Sequence, residues 1–397
     1  MGQRTLVGPW ARVIAFAALG GTALAVVSGA DGWGTAHRVL AAVALPPLVA
    51  LLVLAFVSAR RLLPAALAAL VFFGLAALLT TKDVHLAAAA LAFAATAVAC
   101  LETVRDAAPR DRAPVGDYVT LTKPRVMSLL LLTGGAAIFV GAGGVPAPAT
   151  FVVTLLGLAL ACGGASALNH YLDRDIDQLM GSRTANRPVA SGRIAPSRAL
   201  EFGIALSALS FVLLDSLVNL PTALLALAGN LFYVFVYTRW LKRSTPQNIV
   251  IGGAAGAIPP LVGYAAASGH LGYAALAMFL IVFLWTPPHF WALALMIREH
   301  YANAKVPMLP VLRGDRETAR QILIYTFAMI AATLVPVAFG IFGVVYAVAA
   351  VILGALFAWF AYRLWRETTK RQAVALFHFS LLYLALLFVA MALDAVV

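Results

Sequence analysis

Three oxygen-bearing side chains stand four residues apart at the end of an apolar segment. They are Asn169, Asp173 and Asp177. On an α-helix this spacing directs two carboxylates and one amide oxygen to the same side. Mg²⁺ prefers oxygen ligands and usually keeps waters or substrate phosphates in its shell. The stripe therefore predicts a magnesium site, and a solvated acidic helix end is the alternative interpretation.

A basic segment follows this stripe directly. Its arginines are Arg183, Arg187, Arg193 and Arg198. Guanidinium groups bind phosphate oxygens through paired hydrogen bonds, so arginines behind a metal site favour a diphosphate ligand. A second polar loop carries Lys242 and Arg243 directly before another apolar segment. That arrangement favours a lined cavity, with ordinary surface charge as the alternative.

The composition defines the class of protein. Of 397 residues, 63% are hydrophobic and 11% are charged, and a soluble domain cannot bury so much apolar surface. The sequence predicts an all-α, polytopic membrane protein with about 13 transmembrane helices, because roughly 20 apolar residues cross a bilayer as one helix. The segments lie near 11–30, 38–58, 62–80, 85–103, 125–144, 150–172, 197–216, 220–237, 248–267, 271–296, 321–340, 343–362 and 374–394.

The distribution of positive charge predicts the orientation of the chain. With a cytoplasmic amino terminus, every Lys and Arg except Arg38 and Lys82 falls on the cytoplasmic side, as the positive-inside rule requires. This accounts for most of the net charge of +12, so no nucleic-acid partner is needed to explain it. The stripe is then expected at the cytoplasmic face of the cell (plasma) membrane, where metal and soluble diphosphates are available.

A charged, proline-bearing segment divides the chain. Residues 104–124 separate a four-helix block, residues 1–103, from a nine-helix block, residues 125–397. In the larger block the polar residues concentrate in three cytoplasmic loops, whereas the outward loops are short and nearly uncharged. We therefore expect the chemistry at the inner face of residues 125–397.

Two further titratable side chains are candidates for a function. Glu299 in the third loop could supply a second carboxylate site, although a single Glu at a helix end is commonly solvated. His289 lies within a membrane segment after Pro287–Pro288, and a second pair is Pro259–Pro260. Paired prolines are expected to break helical regularity, which is tolerated where freed carbonyls line a cavity. An ionisable residue there is a functional candidate; a histidine satisfied by a neighbouring helix is the alternative.

The motifs of the larger block can be stated together. They are Asp117-Tyr-Val-Thr-Leu-Thr-Lys-Pro-Arg125, Asn169-x-x-x-Asp173-Arg-Asp-Ile-Asp177, Arg183-Thr-x-Asn-Arg187-Pro188, Tyr237-Thr-x-x-Leu-Lys-Arg-x-Thr-Pro-x-Asn248, Trp285-Thr-Pro-Pro-His-Phe-Trp291 and Val306-Pro-Met-Leu-Pro310. With these motifs the chain resembles the UbiA superfamily of intramembrane prenyltransferases. The last two motifs look like its protoheme IX farnesyltransferase (heme O synthase) branch.

The resemblance implies an enzyme that transfers a farnesyl group from farnesyl diphosphate to a vinyl group of protoheme IX (heme b). Water is added, and the products are heme O and diphosphate. Asn169, Asp173 and Asp177 would hold Mg²⁺ with the diphosphate, and Arg187 and Lys242 would act in catalysis with them. The candidates for binding the diphosphate oxygens are Lys123, Arg183, Arg187, Lys242 and Arg243. His289 is the candidate for contact with the heme, through ligation, propionate pairing or proton transfer.

The chain departs from this family in the third loop. Where an Asp usually precedes the tyrosine of that loop, this chain has His300 before Tyr301, and Glu299 stands one place earlier. One residue rotates a helical side chain by about 100°. Glu299 is therefore only a candidate replacement for the second metal contact.

The amino-terminal block weakly resembles one four-helix half of heme A synthase. His37 and His85 lie at the outer starts of two helices that run in the same direction, so both imidazoles are expected at one depth. Facing histidines in a bundle can hold heme through both axial positions. The block is therefore expected either to bind heme b through His37 and His85 or to be a degenerate remnant. Heme A synthase is a candidate partner.

Two other functions fit parts of the sequence. A prenyltransferase acting on a quinone-precursor ring, or on another lipophilic aromatic acceptor, would share the stripe but would not account for the segment Trp285–Trp291. An ion-coupled membrane transporter also carries intramembrane prolines and carboxylates, but its sites lie near the bilayer midplane between internal repeats. Here the carboxylates lie at a helix end, and no convincing repeat is present. The heme-directed transferase is favoured.

Overall fold

The computed structural model describes residues 14–22, 43–52, 63–78 and 113–397, together with positions 88, 91–92, 95–96 and 99. Throughout these residues the regular secondary structure is helical, and they contain no strand. The prediction of an all-α protein is confirmed. An apolar segment that forms a helix satisfies its backbone hydrogen bonds within itself, as lipid surroundings require.

Within the described ranges, nine helices are long and apolar enough to cross a membrane. We number them α1 to α9. Their bounds are Pro124–Ala142, Pro148–Leu172, Pro196–Leu217, Leu220–Ser244, Asn248–Ser268, Tyr273–Met296, Leu309–Ala338, Val344–Glu367 and Lys370–Asp394. The chain is therefore a multi-pass membrane protein.

Most of these bounds lie within a few residues of the predicted segments, but α7 does not. It begins at Leu309, whereas the predicted segment began near 321. Hydropathy missed its first turns because they contain several charged residues. Gly314 within it leaves the helical region, with φ 79° and ψ 172°. A kink at Gly314 thus separates the first turns of α7 from its apolar span. α4 likewise extends past the predicted end, to Ser244.

The proline pairs do not interrupt their helices. Pro259–Pro260 lies inside α5 and Pro287–Pro288 lies inside α6, and both helices continue through them. The expectation of broken helices was therefore wrong. All four prolines are buried, and proline inside a membrane helix is tolerated where neighbouring helices cover the freed carbonyls.

The helices of the larger block form a closed bundle. Each helix from α1 to α8 packs against the next, and further contacts join α5 to α1, α9 to α1 and α9 to α6. Small residues allow the closest of these approaches: a Cβ on Gly263 would lie 2.0 Å from the carbonyl oxygen of Gly134. The contacts of α9 bring a distant part of the chain against α6.

The amino-terminal block is described only in part. Its described positions include the helices Val43–Leu52 and Leu63–Leu78, and buried side chains such as Ala44, Leu48 and Ala69 belong to one apolar cluster. The predicted count of about 13 spans therefore stays a prediction. His37, His85 and residues 104–112 lie outside the described residues.

Candidate active site

Polar residues from three loops meet at one end of the bundle. Lys123, directly before α1, donates from Nζ to Oδ1 of Asn169 at 2.7 Å. Asn169 donates from Nδ2 to Oγ1 of Thr238 on α4 at 3.1 Å. Nδ1 of His300 lies 2.9 Å from the carbonyl oxygen of Met180 and donates to it. Hydrogen bonds thus join the end of α2 to the residue before α1 and to α4, and join His300 to the segment that follows α2.

The three stripe residues are buried at this end. Asn169, Asp173 and Asp177 are 3%, 0% and 1% exposed. α2 ends at Leu172, but the backbone N–H of Asp173 still donates to Asn169, and that of Asp177 donates to Asp173, each at 2.8 Å. Helix-like hydrogen bonds between residues four apart therefore continue past the end of α2 as far as Asp177. Nδ2 of Asn169 also lies 2.7 Å from Oδ2 of Asp173 and donates to it.

Each buried carboxylate has a cationic partner. Lys242 donates from Nζ to Oδ2 of Asp173. Arg187 donates from one terminal nitrogen to both oxygens of Asp177, at 2.8 Å and 3.0 Å. Burial raises the pKa of Asp177, and the charge of Arg187 opposes that shift. Burial and the nearby Arg187 charge lower the pKa of Lys123 to about 7.

One carboxylate oxygen of this cluster lacks a donor. Oδ1 of Asp173 is fully buried and makes no hydrogen bond, and a terminal nitrogen of Arg243 lies 3.9 Å from it. Within the described residues, no three His, Cys, Asp or Glu side chains are arranged as a complete metal cage. Two carboxylates with one open oxygen fit Mg²⁺, which takes one or two carboxylates and completes its shell with phosphates and water.

Two other predicted cations, Arg243 and Arg183, make no hydrogen bond to the stripe carboxylates in the described residues. Arg243 donates to both oxygens of Asp175 at 2.7 Å and to the carbonyl oxygen of Leu172 at 2.7 Å. It therefore ties the end of α4 to the end of α2. Arg183 is exposed on the 3₁₀ turn Gly181–Arg183. Among the described residues, Arg187 and Lys242 are the cations that donate hydrogen bonds to the stripe carboxylates.

The end of α4 that carries Lys242 has an unusual helical geometry. Residues Phe232–Leu241 form a π-helix, a conformation that occurs frequently at functional sites. Thr238 lies in it, fully buried, and accepts the hydrogen bond from Asn169. Sequence reasoning missed Thr238. Its position one turn before Lys242 was the available signal, because residues four apart share a helix face.

His289 lies deeper in the bundle than the stripe. Its imidazole is sandwiched between the rings of Trp285 and Phe377, with centroids 4.3 Å and 4.7 Å away. Its Nδ1 lies 2.7 Å from Oγ of Ser380 on α9. Sequence reasoning missed Ser380 because it lies far along the chain in a different apolar helix.

Glu299 does not join the cluster in the part of the chain that the structure describes. It is exposed on the short helix Arg298–Asn303, and no hydrogen bond or ion pair links it to Asp173 or Asp177. The residue of this loop that contacts the first loop is His300. A role for Glu299 in metal binding stays a prediction.

The short helix Val115–Leu121, which precedes α1 and is called the entry helix, is hydrogen-bonded to the basic loop. Asp117 on the helix Val115–Leu121 accepts from Nε of Arg193 at 3.0 Å and 3.2 Å, and from a terminal nitrogen of Arg193 at 3.2 Å. Arg193 also donates to the carbonyl oxygen of Asn186 at 2.9 Å. Asp117 therefore holds the loop that carries Arg187, a second contact that sequence reasoning did not find.

The nine-helix block is similar to known proteins. The profile of the UbiA prenyltransferase family matches residues 129–389. The chain belongs to the UbiA prenyltransferase family. This family membership confirms the resemblance drawn from the Asn/Asp stripe and its neighbouring motifs.

Several curated relatives within this family carry one name, protoheme IX farnesyltransferase. The protein from Symbiobacterium thermophilum is 54% identical over 72% of this chain and 97% of its own length. The protein from Gloeobacter violaceus is 52% identical over 72% of this chain and 94% of its own. The protein from Roseiflexus sp. RS-1 is 54% identical over 71% of this chain. The chain spans about half the length of that relative, 52%.

Solved structures share the fold of this UbiA-family chain. A structure of digeranylgeranylglyceryl phosphate synthase has a TM-score of 0.60 and 19% identity, over 71% of this chain and 98% of that chain. A UbiA homolog from Archaeoglobus fulgidus bound to GPP and Mg²⁺ has a TM-score of 0.54 and 18% identity, over 69% and 99% of the two chains. These likenesses establish the helical architecture.

Proposed function

We propose that the chain transfers the farnesyl group of farnesyl diphosphate to a vinyl group of protoheme IX, with addition of water, to give heme O and diphosphate. The convergence of Asp173, Asp177, Arg187 and Lys242 at one buried end of the bundle carries the proposal. Relatives named protoheme IX farnesyltransferase, at 54% and 52% identity, support the choice of donor and acceptor.

The reaction places a definite demand on the site. The bond between C1 of the farnesyl group and oxygen breaks, and its electron pair leaves with diphosphate. The allylic cation takes the electrons of the vinyl double bond, which forms the new carbon–carbon bond and leaves positive charge beside the porphyrin. Water adds there and loses a proton. Because negative charge develops on the leaving diphosphate, positive groups must be placed against it in advance.

The buried cluster meets this demand. Asp173 and Asp177 would hold Mg²⁺, with Asn169 oriented beside them, and the bound ion neutralises charge on the leaving group. Arg187 and Lys242 now pair with those carboxylates. With the carboxylates matched by a cation, both long side chains can turn to phosphate oxygens, Arg187 through paired hydrogen bonds and Lys242 as a point charge. Lys123, Arg183 and Arg243 would add positive charge around them.

The interior of the bundle suits an isoprenoid and a porphyrin. Buried side chains of α5 to α9 form one large apolar cluster that includes Ile281, Trp285 and Trp291. Such surroundings exclude the water that would quench an allylic cation early. His289 is buried among these aromatic rings and is our candidate for the heme contact.

We place the site at the cytoplasmic face of the plasma membrane. The concentration of Lys and Arg in the loops that carry the cluster supports this orientation. Farnesyl diphosphate would then reach the site from the cytoplasm.

For residues 1–103 we propose heme b binding by His37 and His85, which the weak resemblance to half of heme A synthase supports. Delivery of heme O to heme A synthase would follow naturally from such an arrangement. The full chain with both His37→Ala and His85→Ala should lose a bis-histidine heme absorption that the unaltered chain shows. Identical spectra of the two proteins would remove this part of the proposal.

A direct assay tests the main proposal. Membranes containing the chain are given heme b, farnesyl diphosphate and Mg²⁺, and the pigments are resolved by mass. We expect heme O, and none from the Asp177→Ala variant. Prenylation of a quinone precursor or another aromatic acceptor, with heme b unchanged, would reassign the acceptor within the family.

A further inference from the structure

α6 and α9 are joined at one buried position beside His289. Nδ1 of His289 lies 2.7 Å from Oγ of Ser380, which is fully buried. Nε1 of Trp285 donates to the carbonyl oxygen of the same Ser380 at 2.9 Å. Two hydrogen bonds one helical turn apart on α6 therefore converge on a single residue of α9.

The hydrogens of this group can be assigned from its distances. Oγ of Ser380 also lies 2.7 Å from the carbonyl oxygen of Phe377. A carbonyl has no hydrogen, so the hydroxyl of Ser380 donates to it. That hydroxyl has no second hydrogen, and the hydrogen between Ser380 and His289 therefore belongs to Nδ1. The neutral imidazole carries its proton on Nδ1 and a lone pair on Nε2.

The surroundings of His289 leave Nε2 as its one open position. The rings of Trp285 and Phe377 both stack on the imidazole of His289, with interplanar angles of 15° and 22°. Nε2 has no hydrogen-bond partner in the described residues. Its surface is not completely covered, so a ligand can approach it. Its lone pair lies in the plane of the ring, so rings stacked on the faces do not block it.

The depth of His289 separates it from the stripe. It lies seven residues before the end of α6 at Met296, since 296 − 289 = 7, which is roughly 10 Å along the helix axis. Asn169 lies three residues before the end of α2, since 172 − 169 = 3. A group bound at Nε2 is thus on the apolar side, and the polar end is left for the diphosphate.

We propose that Ser380 is a positioning residue that presents Nε2 of His289 as an axial ligand to the iron of the porphyrin substrate. The inference rests on the proposed function. A neutral imidazole nitrogen is a common metal ligand, and metal-bound histidines donate their other N–H to an acceptor. A propionate would need a donor at Nε2, and the tautomer fixed by Ser380 has none there. Iron ligation is the contact that this geometry serves.

The experiment compares two porphyrins on the purified full chain. Hemin and metal-free protoporphyrin IX are titrated into the unaltered chain, Ser380→Ala and Ser380→Thr, and ligation is followed by absorption and magnetic circular dichroism. We expect Ser380→Ala to weaken hemin binding about 10- to 100-fold, the range for removing a partner of a metal-bound histidine. Its affinity for metal-free protoporphyrin should stay unchanged. Ser380→Thr keeps the hydroxyl and should restore the histidine-ligated spectrum.

Ser210→Ala is the matched control. Ser210 is also buried, and its Oγ donates to the carbonyl oxygen of Gly157 across α3 and α2 at 2.6 Å. The Ser210→Ala substitution removes a comparable buried hydrogen bond. It should leave hemin ligation unchanged. If Ser380→Thr does not fold, His289→Gly with and without added imidazole tests ligation at the same position, and imidazole should restore the spectrum.

The outcomes separate this inference from the proposed function. A Ser380→Ala chain that binds hemin with unaltered affinity and spectrum would overturn the role of Ser380. Equal weakening of hemin and metal-free protoporphyrin would show a purely structural role and overturn it too. Formation of heme O without histidine ligation would remove the inference alone, whereas failure to form heme O would remove the function on which it rests.

Discussion

Asp173 has two roles that substitution can separate. It neutralises buried Lys242 and presents an open carboxylate oxygen. Asp173→Asn should lower transfer at least about 100-fold, as loss of a preorganised electrostatic contact does, and should also lower thermal stability by leaving a buried cation unpaired. Combining it with Lys242→Met should recover stability but not activity. Recovery of activity in the double variant would refute the metal assignment.

Thr238 is expected to orient Asn169. The buried Nδ2 of Asn169 donates to its hydroxyl, and loss of an acceptor for a buried donor costs about 1–3 kcal/mol. Thr238→Val should therefore lower kcat/KM for farnesyl diphosphate by about tenfold, since 1.4 kcal/mol is a factor of ten. Thr238→Ser keeps the hydroxyl and serves as the control. Equal kinetics for the Val and Ser variants would exclude the role.

Among the elements, the entry helix Val115–Leu121 should control the basic loop. Arg193 is 45% exposed on its side chain, so its ion pair with Asp117 contributes about 1 kcal/mol or less to stability. Asp117→Asn should nevertheless raise KM for farnesyl diphosphate, because the loop that carries Arg187 loses its anchor. The exchanged pair, Asp117→Arg with Arg193→Asp, should regain part of the affinity. An unchanged KM in Asp117→Asn would contradict this.

The contact between α1 and α5 predicts a sharp difference between two glycines of α5. Gly263→Ala would place a Cβ 2.0 Å from the Gly134 carbonyl oxygen, and overpacking of this kind costs about 1–3 kcal/mol. Gly256 has nothing within 4 Å of its Cβ position, so Gly256→Ala should be neutral or stabilising by about 0.5–1 kcal/mol. Thermal denaturation in detergent measures both. Equal melting temperatures would disprove the close approach.

For the whole molecule, the two ends of the chemistry are predicted to be independent. The carboxylate cluster lies at the helix ends, while His289 lies within α6 and contacts α9. Chelation of Mg²⁺ should therefore abolish farnesyl transfer, since a neutralising cation is lost, and should leave hemin affinity unchanged. Added Mg²⁺ should restore transfer. Loss of hemin binding on chelation would show that the two sites are coupled.

The sequence by itself determined the class and architecture of this protein. Hydropathy is a local property, so it located the spans of the nine-helix block and missed helix ends that carry charge, at the start of α7 and the end of α4. The stripe from Asn169 to Asp177 was also readable, because four-residue spacing fixes a shared helix face without knowledge of any other segment.

Only the tertiary structure decided which polar groups meet. Ser380 fixes His289 across 91 residues and Asp117 holds Arg193 across 76, and no local pattern marks either pair. Their contacts depend on which helices pack together, here α9 against α6. In a largely apolar helix a single serine carries no periodic signal. Helix packing alone brings its hydroxyl to the imidazole and so sets which nitrogen keeps the proton.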